Sequence, residues 1–258
     1  MPGRVSTVPS HVAAKLADVA DWTDGELLGL DLETTGVDRF TDVPVSYALV
    51  SVVDGVAIAS WSGLIDPGCD IPREATQVHG ITSERARAEG MPLSVAIGLV
   101  MDAVVAAGRR GVPVAGMRLD YDLTILDIQA TRVGDRNLVE RGWRGPVLDA
   151  AVLDRQFDSD REGRRTLCDL CDHYGVEIER AHDAWADAIA SMQVLLALAR
   201  RFPGVRTRDL GGLHEDQVRW HREWTADQER WRLAQGMVPL DPRAYLWPVA
   251  PAMLPRAA

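Results

Sequence analysis

The run Glu26-Leu-Leu-Gly-Leu-Asp-Leu-Glu33 alternates with period two, with Leu28, Leu30 and Leu32 on one side and Gly29, Asp31 and Glu33 on the other. That is a strand, and Thr34-Thr-Gly36 ends it as a turn. Two further strands are expected at Val45–Val53 and Val56–Leu64, joined by Asp54-Gly55. An Asp-Gly pair favours the positive-φ turns that let two strands fold back antiparallel. The chain therefore opens as a meander, and the remaining elements must pack on that sheet.

The later pattern is mixed. Pro72 and Pro92 each suit a helix first turn. Helical spacing of apolar residues predicts helices over Ser94–Ala107, Asp120–Arg132, Ala150–Phe157, Thr166–Tyr174 and Asp183–Arg201. Short apolar runs at Gly111–Gly116 and Gly145–Asp149 read as two more strands, which completes an order β-β-β-α-β-α-β-α. That order suits an α/β layer fold with a mixed sheet. A short amphipathic stretch within residues 9–24 reads as a leading helix, so residues 1–25 form a helical lead. Beyond Phe202, Leu213, Trp220, Trp224 and Trp231 share one face of a further helix over Leu213–Gln235. Packing of that face on the core is expected, with base stacking or a homodimer through the tryptophans as alternatives. The proline-rich tail from Pro239 to Ala258 is expected to be extended.

Asp31 and Glu33 sit together at the carboxyl end of their strand, where ligands bind in α/β folds. Taken alone, such a pair is more often a solvated strand end. Two neighbouring carboxylates repel unless a cation neutralises them, and Thr34 and Thr35 add hydroxyls and backbone N–H groups beside them. In His182-Asp-Ala-Trp-Ala-Asp187, positions five apart share a site only if His182 precedes the helix, with Asp183 as N-cap and Asp187 one turn inside. Asp120, Asp122 and Asp127 all open or line one helix, and spacing does not choose between them.

Asp31-Leu-Glu33-Thr-Thr-Gly, Val78-His-Gly-Ile-Thr82, Tyr121-Asp122 and His182-x-Ala-x-x-Asp187, in this order, resemble the DEDDh exonucleases. That family includes the proofreading epsilon subunit of bacterial DNA polymerase III. The resemblance covers about residues 26–200 and implies an RNase H-like fold with a central mixed five-stranded sheet. It selects Asp122, which follows the aromatic Tyr121. It further implies two Mg²⁺ or Mn²⁺ ions on Asp31, Glu33, Asp122 and Asp187, and His182 as general base. The reaction implied is removal of nucleoside 5′-monophosphates from a 3′ end, with single-stranded DNA favoured over RNA as the substrate. An exoribonuclease or oligoribonuclease, or a silent accessory module, stands as the alternative. Met117-Arg118 occupies the place of the family's usual His-Asn and bears on substrate contact, as do Thr34, Thr35 and His79. On this reading residues 26–202 form the exonuclease domain and 203–258 an extension, and a role in replication needs a polymerase or repair partner.

Composition qualifies this picture. The formal charge is −10, which argues against a nucleic-acid partner unless metals reverse the sign locally. All Lys/Arg residues except Lys15 are arginine, with clusters at Arg141/Arg144 and Arg161/Arg164/Arg165 that could reach phosphates. Weak, salt-sensitive, poorly processive binding is the expectation from that balance. Three cysteines, Cys69, Cys168 and Cys171, suit a reducing compartment, and Cys168-x-x-Cys171 reads as buried apolar cysteine rather than zinc. The opening MPGRVSTVPS does not resemble a signal peptide, and no apolar run has the length and purity of a membrane span, so a cytoplasmic protein is expected.

Overall fold

The computed structural model describes residues 21–178 and 181–251, so most of the expected leading helix, and the end of the tail, lie outside the described residues. The meander is present as β1 (Glu26–Thr34), β2 (Pro44–Val53) and β3 (Val56–Asp66), paired antiparallel in sequence. Two short helices come next, α1 (Arg73–His79) and α2 (Ser83–Glu89). A two-residue strand β4 (Met91–Pro92) then pairs parallel with β3. After it come α3 (Leu93–Arg109), β5 (Val114–Gly116), α4 (Leu119–Arg132), β6 (Val147–Asp149) and α5 (Ala150–Phe157). The chain continues as α6 (Leu167–Tyr174), α7 (Ala184–Arg201), a single turn α8 (Pro203–Arg206) and α9 (Leu210–Ala234).

The sheet runs β4-β3-β2-β1-β5-β6, with β1, β5 and β6 parallel. It holds the five expected strands, and β4 adds a sixth at the edge. A pair of residues gives no period to read, which is why β4 escapes sequence reasoning. All ten residues of β2 are buried, as a central strand covered on both faces requires. Helix α7 lies across β1 and β2. The contact depends on Gly29, because a Cβ there would come within 2.5 Å of Met192 Cε. Since Gly29, Asp31 and Glu33 share a face, α7 covers the same face of β1 that carries the carboxylates.

The C-terminal helix α9 is docked by its polar as well as its apolar residues. Leu213 and Trp220 are buried, and Trp220 meets Phe157 of α5 edge to face at 5.7 Å. Gln217, with no exposed surface, presents its amide to edge strand β6. Its Oε1 accepts from Asp149 N (2.9 Å) and its Nε2 donates to Val147 O (2.9 Å). One side chain thus does the work of a neighbouring strand. The tail then returns: His221 Nε2 lies 2.9 Å from Ala244 O, and Ala250 N donates to Thr124 Oγ1 of α4. It is not uniformly extended, since Pro242–Tyr245 forms a 3₁₀ turn.

This packing is the expected one, and it gives no support to the alternative of a homodimer through the tryptophan face. Trp220 is spent on the chain's own core and Trp224 packs against it, leaving Trp231 alone of the three exposed. Among the described residues no helix is long and apolar enough to cross a membrane.

Candidate active site

Because β1, β5 and β6 are parallel, their carboxyl ends meet at one edge of the sheet. Strand β5 stops at Gly116, while β1 runs on to Thr34. Beyond that point β1 has a free ladder position, and Leu32 N donates instead to Asp122 Oδ1 at 3.1 Å. Asp122 is therefore anchored to the same strand that carries Asp31 and Glu33. A Cβ at Gly116 would stand 2.8 Å from Leu30 O, so glycine is what lets β5 end this close to β1.

The turn before α4 places Asp122. Arg118 is the N-cap of α4 and adopts the left-handed region at φ 58°, uncommon for a residue with a side chain. It is held there by Asp149, whose carboxylate accepts from Arg118 N (3.0 Å), Leu119 N (2.9 Å) and Ala151 N (2.9 Å). Asp149 thus caps α4 and α5 together and has no exposed surface. Burial raises its pKa to about 6, and the nearby Asp120 adds to the shift. The fold decides among the three helix aspartates. Asp120 pairs with Arg39, and Asp127 Oδ1 accepts from Leu138 N at 2.8 Å. Only Asp122 turns to β1.

From the other side, His182 ends a turn at φ 66°, outside α7, and its N–H donates to Asp187 Oδ2 at 3.1 Å. Asp183 caps the helix by accepting from Trp185 N and Ala186 N. Ligand atoms of Glu33, His182 and Asp187 all lie within 4.8 Å of one another. Among the described residues, Asp187 Oδ1 is buried without a hydrogen-bond partner.

The electrostatics are those of unneutralised acids. The pKa of Asp31 is pushed well up by burial first, then by Asp122, Asp187 and Glu33. Glu33 rises to about 7, through burial and then Asp187 and Asp183. Asp122 and Asp187 are raised as well, with burial again the leading cause. A group of hard oxygen donors that disfavour their own ionisation, with one buried oxygen left over, fits a divalent cation. Asp31, Glu33, Asp122 and Asp187 are the residues that could hold one.

The site opens into a groove of about 1260 Å³, larger than the ~300–1,000 Å³ common for small-molecule pockets. Thr34, Thr35, His79 and Arg118 line it, but the threonine hydroxyls are committed to the turn. Thr34 Oγ1 donates to Gly36 O (2.7 Å) and contacts Tyr121 Oη (2.8 Å), while Thr35 Oγ1 donates to Asp42 Oδ1 (2.7 Å). His79 accepts from Ile81 N through Nδ1 (3.1 Å), and burial lowers its pKa.

The arginine clusters are largely structural. Arg161 and Arg165 both pair with buried Asp154, and Arg141 pairs with Asp102 and Asp135. Cys171 is buried as expected but Cys168 is exposed, because only one of the two falls on the inner face of the short helix α6. Sequence reasoning missed Asp149 and Gln217. Asp149 carries a legible cap signal before Ala150–Phe157, whereas nothing local marks Gln217.

Residues 28–195 match the model of the RNase_T exonuclease family, and the chain belongs to that family. Among its relatives is the PolC-type DNA polymerase III of Latilactobacillus sakei, 28% identical over 178 residues that make up 68% of this chain and 11% of that protein. Another is the DNA polymerase III subunit epsilon-like protein of Rhodobacter capsulatus, 28% identical over 191 residues, or 70% of this chain and 24% of that one. The chain thus spans a small part of either relative. Crystal structures of E. coli exonuclease I share the fold. The complex with a dA16 oligonucleotide superposes with a TM-score of 0.61 at 20% identity, over 76% of this chain and 43% of that one.

Proposed function

We propose that this chain is a metal-dependent 3′→5′ exonuclease of the DEDDh type, acting on single-stranded DNA and releasing nucleoside 5′-monophosphates. The observation that carries this reading is the meeting of Asp31, Glu33, Asp122 and Asp187 at one strand end with raised pKa values and an unpartnered buried oxygen on Asp187. Two Mg²⁺ or Mn²⁺ ions bound there would lower the pKa of a water and stabilise charge on the leaving 3′-oxygen. The four carboxylates supply the hard ligands, and the Leu32 N–H holds Asp122 in place for that role. His182 stands outside the helix beside Glu33 and Asp187, where its imidazole takes the proton of the attacking water. Arg118, at the rim, meets a substrate phosphate.

Residues 26–202 form the catalytic domain and 203–258 an extension. The names of the polymerase relatives support a polymerase as partner, and the oligonucleotide complex of exonuclease I supports single-stranded DNA as substrate. The test is digestion of 3′- and 5′-labelled single-stranded DNA and RNA with Mg²⁺, Mn²⁺ or EDTA. Expected are mononucleotides from DNA 3′ ends, none in EDTA, and a loss of about 10²–10⁴-fold in kcat for His182→Ala. Internal cleavage or EDTA-resistant activity refutes the mechanism, and faster digestion of RNA reassigns the substrate.

A further inference from the structure

The groove extends past the carboxylates to a wall that the family match covers only in part. Its far side is built by Arg155 and Arg165 from α5 and the loop after it, and by His221 and Trp224 from α9. Helix α9 begins at Leu210, beyond the family-matched residues 28–195. The four arginines that line the groove fall into two kinds. Arg39 pairs with Asp120 and Arg165 with Asp154, so both are neutralised within the fold. Arg118 and Arg155 have no side-chain ion pair or hydrogen bond among the described residues. The guanidinium of Arg155 instead lies over the Trp224 ring, 4.6 Å from its centre, which sets an exposed cation against an aromatic wall.

Among the described residues eleven arginines have no carboxylate ion pair, Arg118 and Arg155 among them. These two border the groove that leaves the acidic site, one at the α4 turn and one on the far wall. A planar cation on an indole offers both a fork for a phosphate and a flat surface for a base. His221 contributes rigidity, since its contact with Ala244 O ties α9 to the returning tail.

We infer that Arg155 and Trp224 form a subsite for a nucleotide of single-stranded nucleic acid lying 5′ of the one being removed, so that the C-terminal extension helps to build the substrate groove. The inference rests on the exonuclease reading of the carboxylate site. The occupant is a nucleic-acid strand rather than a small anion, because the subsite and the acidic site belong to one continuous groove.

The experiment measures the affinity of full-length protein, with Ca²⁺ in place of Mg²⁺, for a fluorescent DNA dinucleotide and a decanucleotide. The readout is the ratio of the two affinities. Wild type binds the longer strand more tightly, and Arg155→Gln and Trp224→Ala each reduce that gain about tenfold, the order expected for one lost stacking contact. Arg155 is exposed, so its substitution leaves the fold intact, and Trp224→Phe keeps an aromatic wall and restores most of the gain. A ratio unchanged in Arg155→Gln and Trp224→Ala overturns the subsite while leaving the catalytic reading standing. Failure of wild type to bind either strand, or to degrade it with Mg²⁺, overturns both.

Discussion

Gln217 is the most informative residue to replace, because a single side chain holds the C-terminal extension to the sheet and the sheet edge to the catalytic turn. Its amide accepts from Asp149 N and donates to Val147 O, both at 2.9 Å, in a setting with no access to water. Gln217→Leu keeps nearly the same volume but strands one buried N–H and one buried carbonyl. Each unsatisfied group costs about 1–3 kcal/mol, so the substitution should cost roughly 2–6 kcal/mol. That is a large part of the roughly 5–15 kcal/mol that holds a typical domain together. At about 2–4 °C per kcal/mol for a domain of this size, the melting temperature should fall by at least ~4 °C. Gln217→Glu should be worse, because it loses the donor and buries a charge. Urea unfolding gives the free energy, and amide exchange at Asp149 reports the bond directly. Because Asp149 also fixes Arg118 and Leu119, exonuclease activity should drop before the fold is lost. A Gln217→Leu protein within about 0.5 kcal/mol of wild type, with Asp149 N–H still protected, would refute the latch.

The acidic site and its supporting strand give three further outcomes. Asp122→Asn keeps an oxygen for Leu32 N but removes one of the repelling charges, so in EDTA it should melt above wild type while being inactive. Asp122→Ala should be less stable than Asp122→Asn by about 1–3 kcal/mol, because Leu32 N–H then has no partner; equal melting of the two variants would contradict that bond. The folded pKa of Glu33 is raised from 4.5 to about 7, so the folded state holds its proton more tightly than the unfolded chain does. The contribution of Glu33 to metal-free stability is then fully present below pH 4.5 and lost as pH rises to 7, with Asp31, Asp122 and Asp187 acting in the same direction. Melting curves in EDTA across that range check this, and a melting temperature that climbs from pH 5 to 7.5 counts against it; Mg²⁺ should flatten the decline. Gly116→Ala should drive its methyl group against Leu30 O and push β5 from β1, costing about 1–3 kcal/mol and lowering kcat through Asp122. Unchanged kcat in a variant that folds would show that the close approach does not position the site.

Much of the fold is legible in the sequence because its signals are local. The Asp54-Gly55 turn, the alternation of Glu26–Glu33 and the cap before Ala184 each lie within a few residues of what they specify. For the same reason the sequence places His182 outside its helix, one turn from Asp187. The strand β4, two residues long, lies below the length at which a period exists. Arg161 and Arg165 read as free charge in the sequence because Asp154, their partner, carries no mark of burial there.

The sequence by itself determined the two carboxylates on one strand face, since period-two geometry leaves Asp31 and Glu33 no other arrangement. Spacing did not choose among Asp120, Asp122 and Asp127, three acids on a single helix whose residue types are identical, and Asp122 was singled out only by the resemblance. The physical reason lies in the ending of β5 short of β1, which leaves Leu32 N–H for Asp122 to satisfy. Gln217, sixty-eight residues from Asp149, and the Arg155–Trp224 pair are decided in the same way. A backbone period is carried by neighbours along the chain, whereas a buried hydrogen bond or a groove wall exists only once distant segments have met.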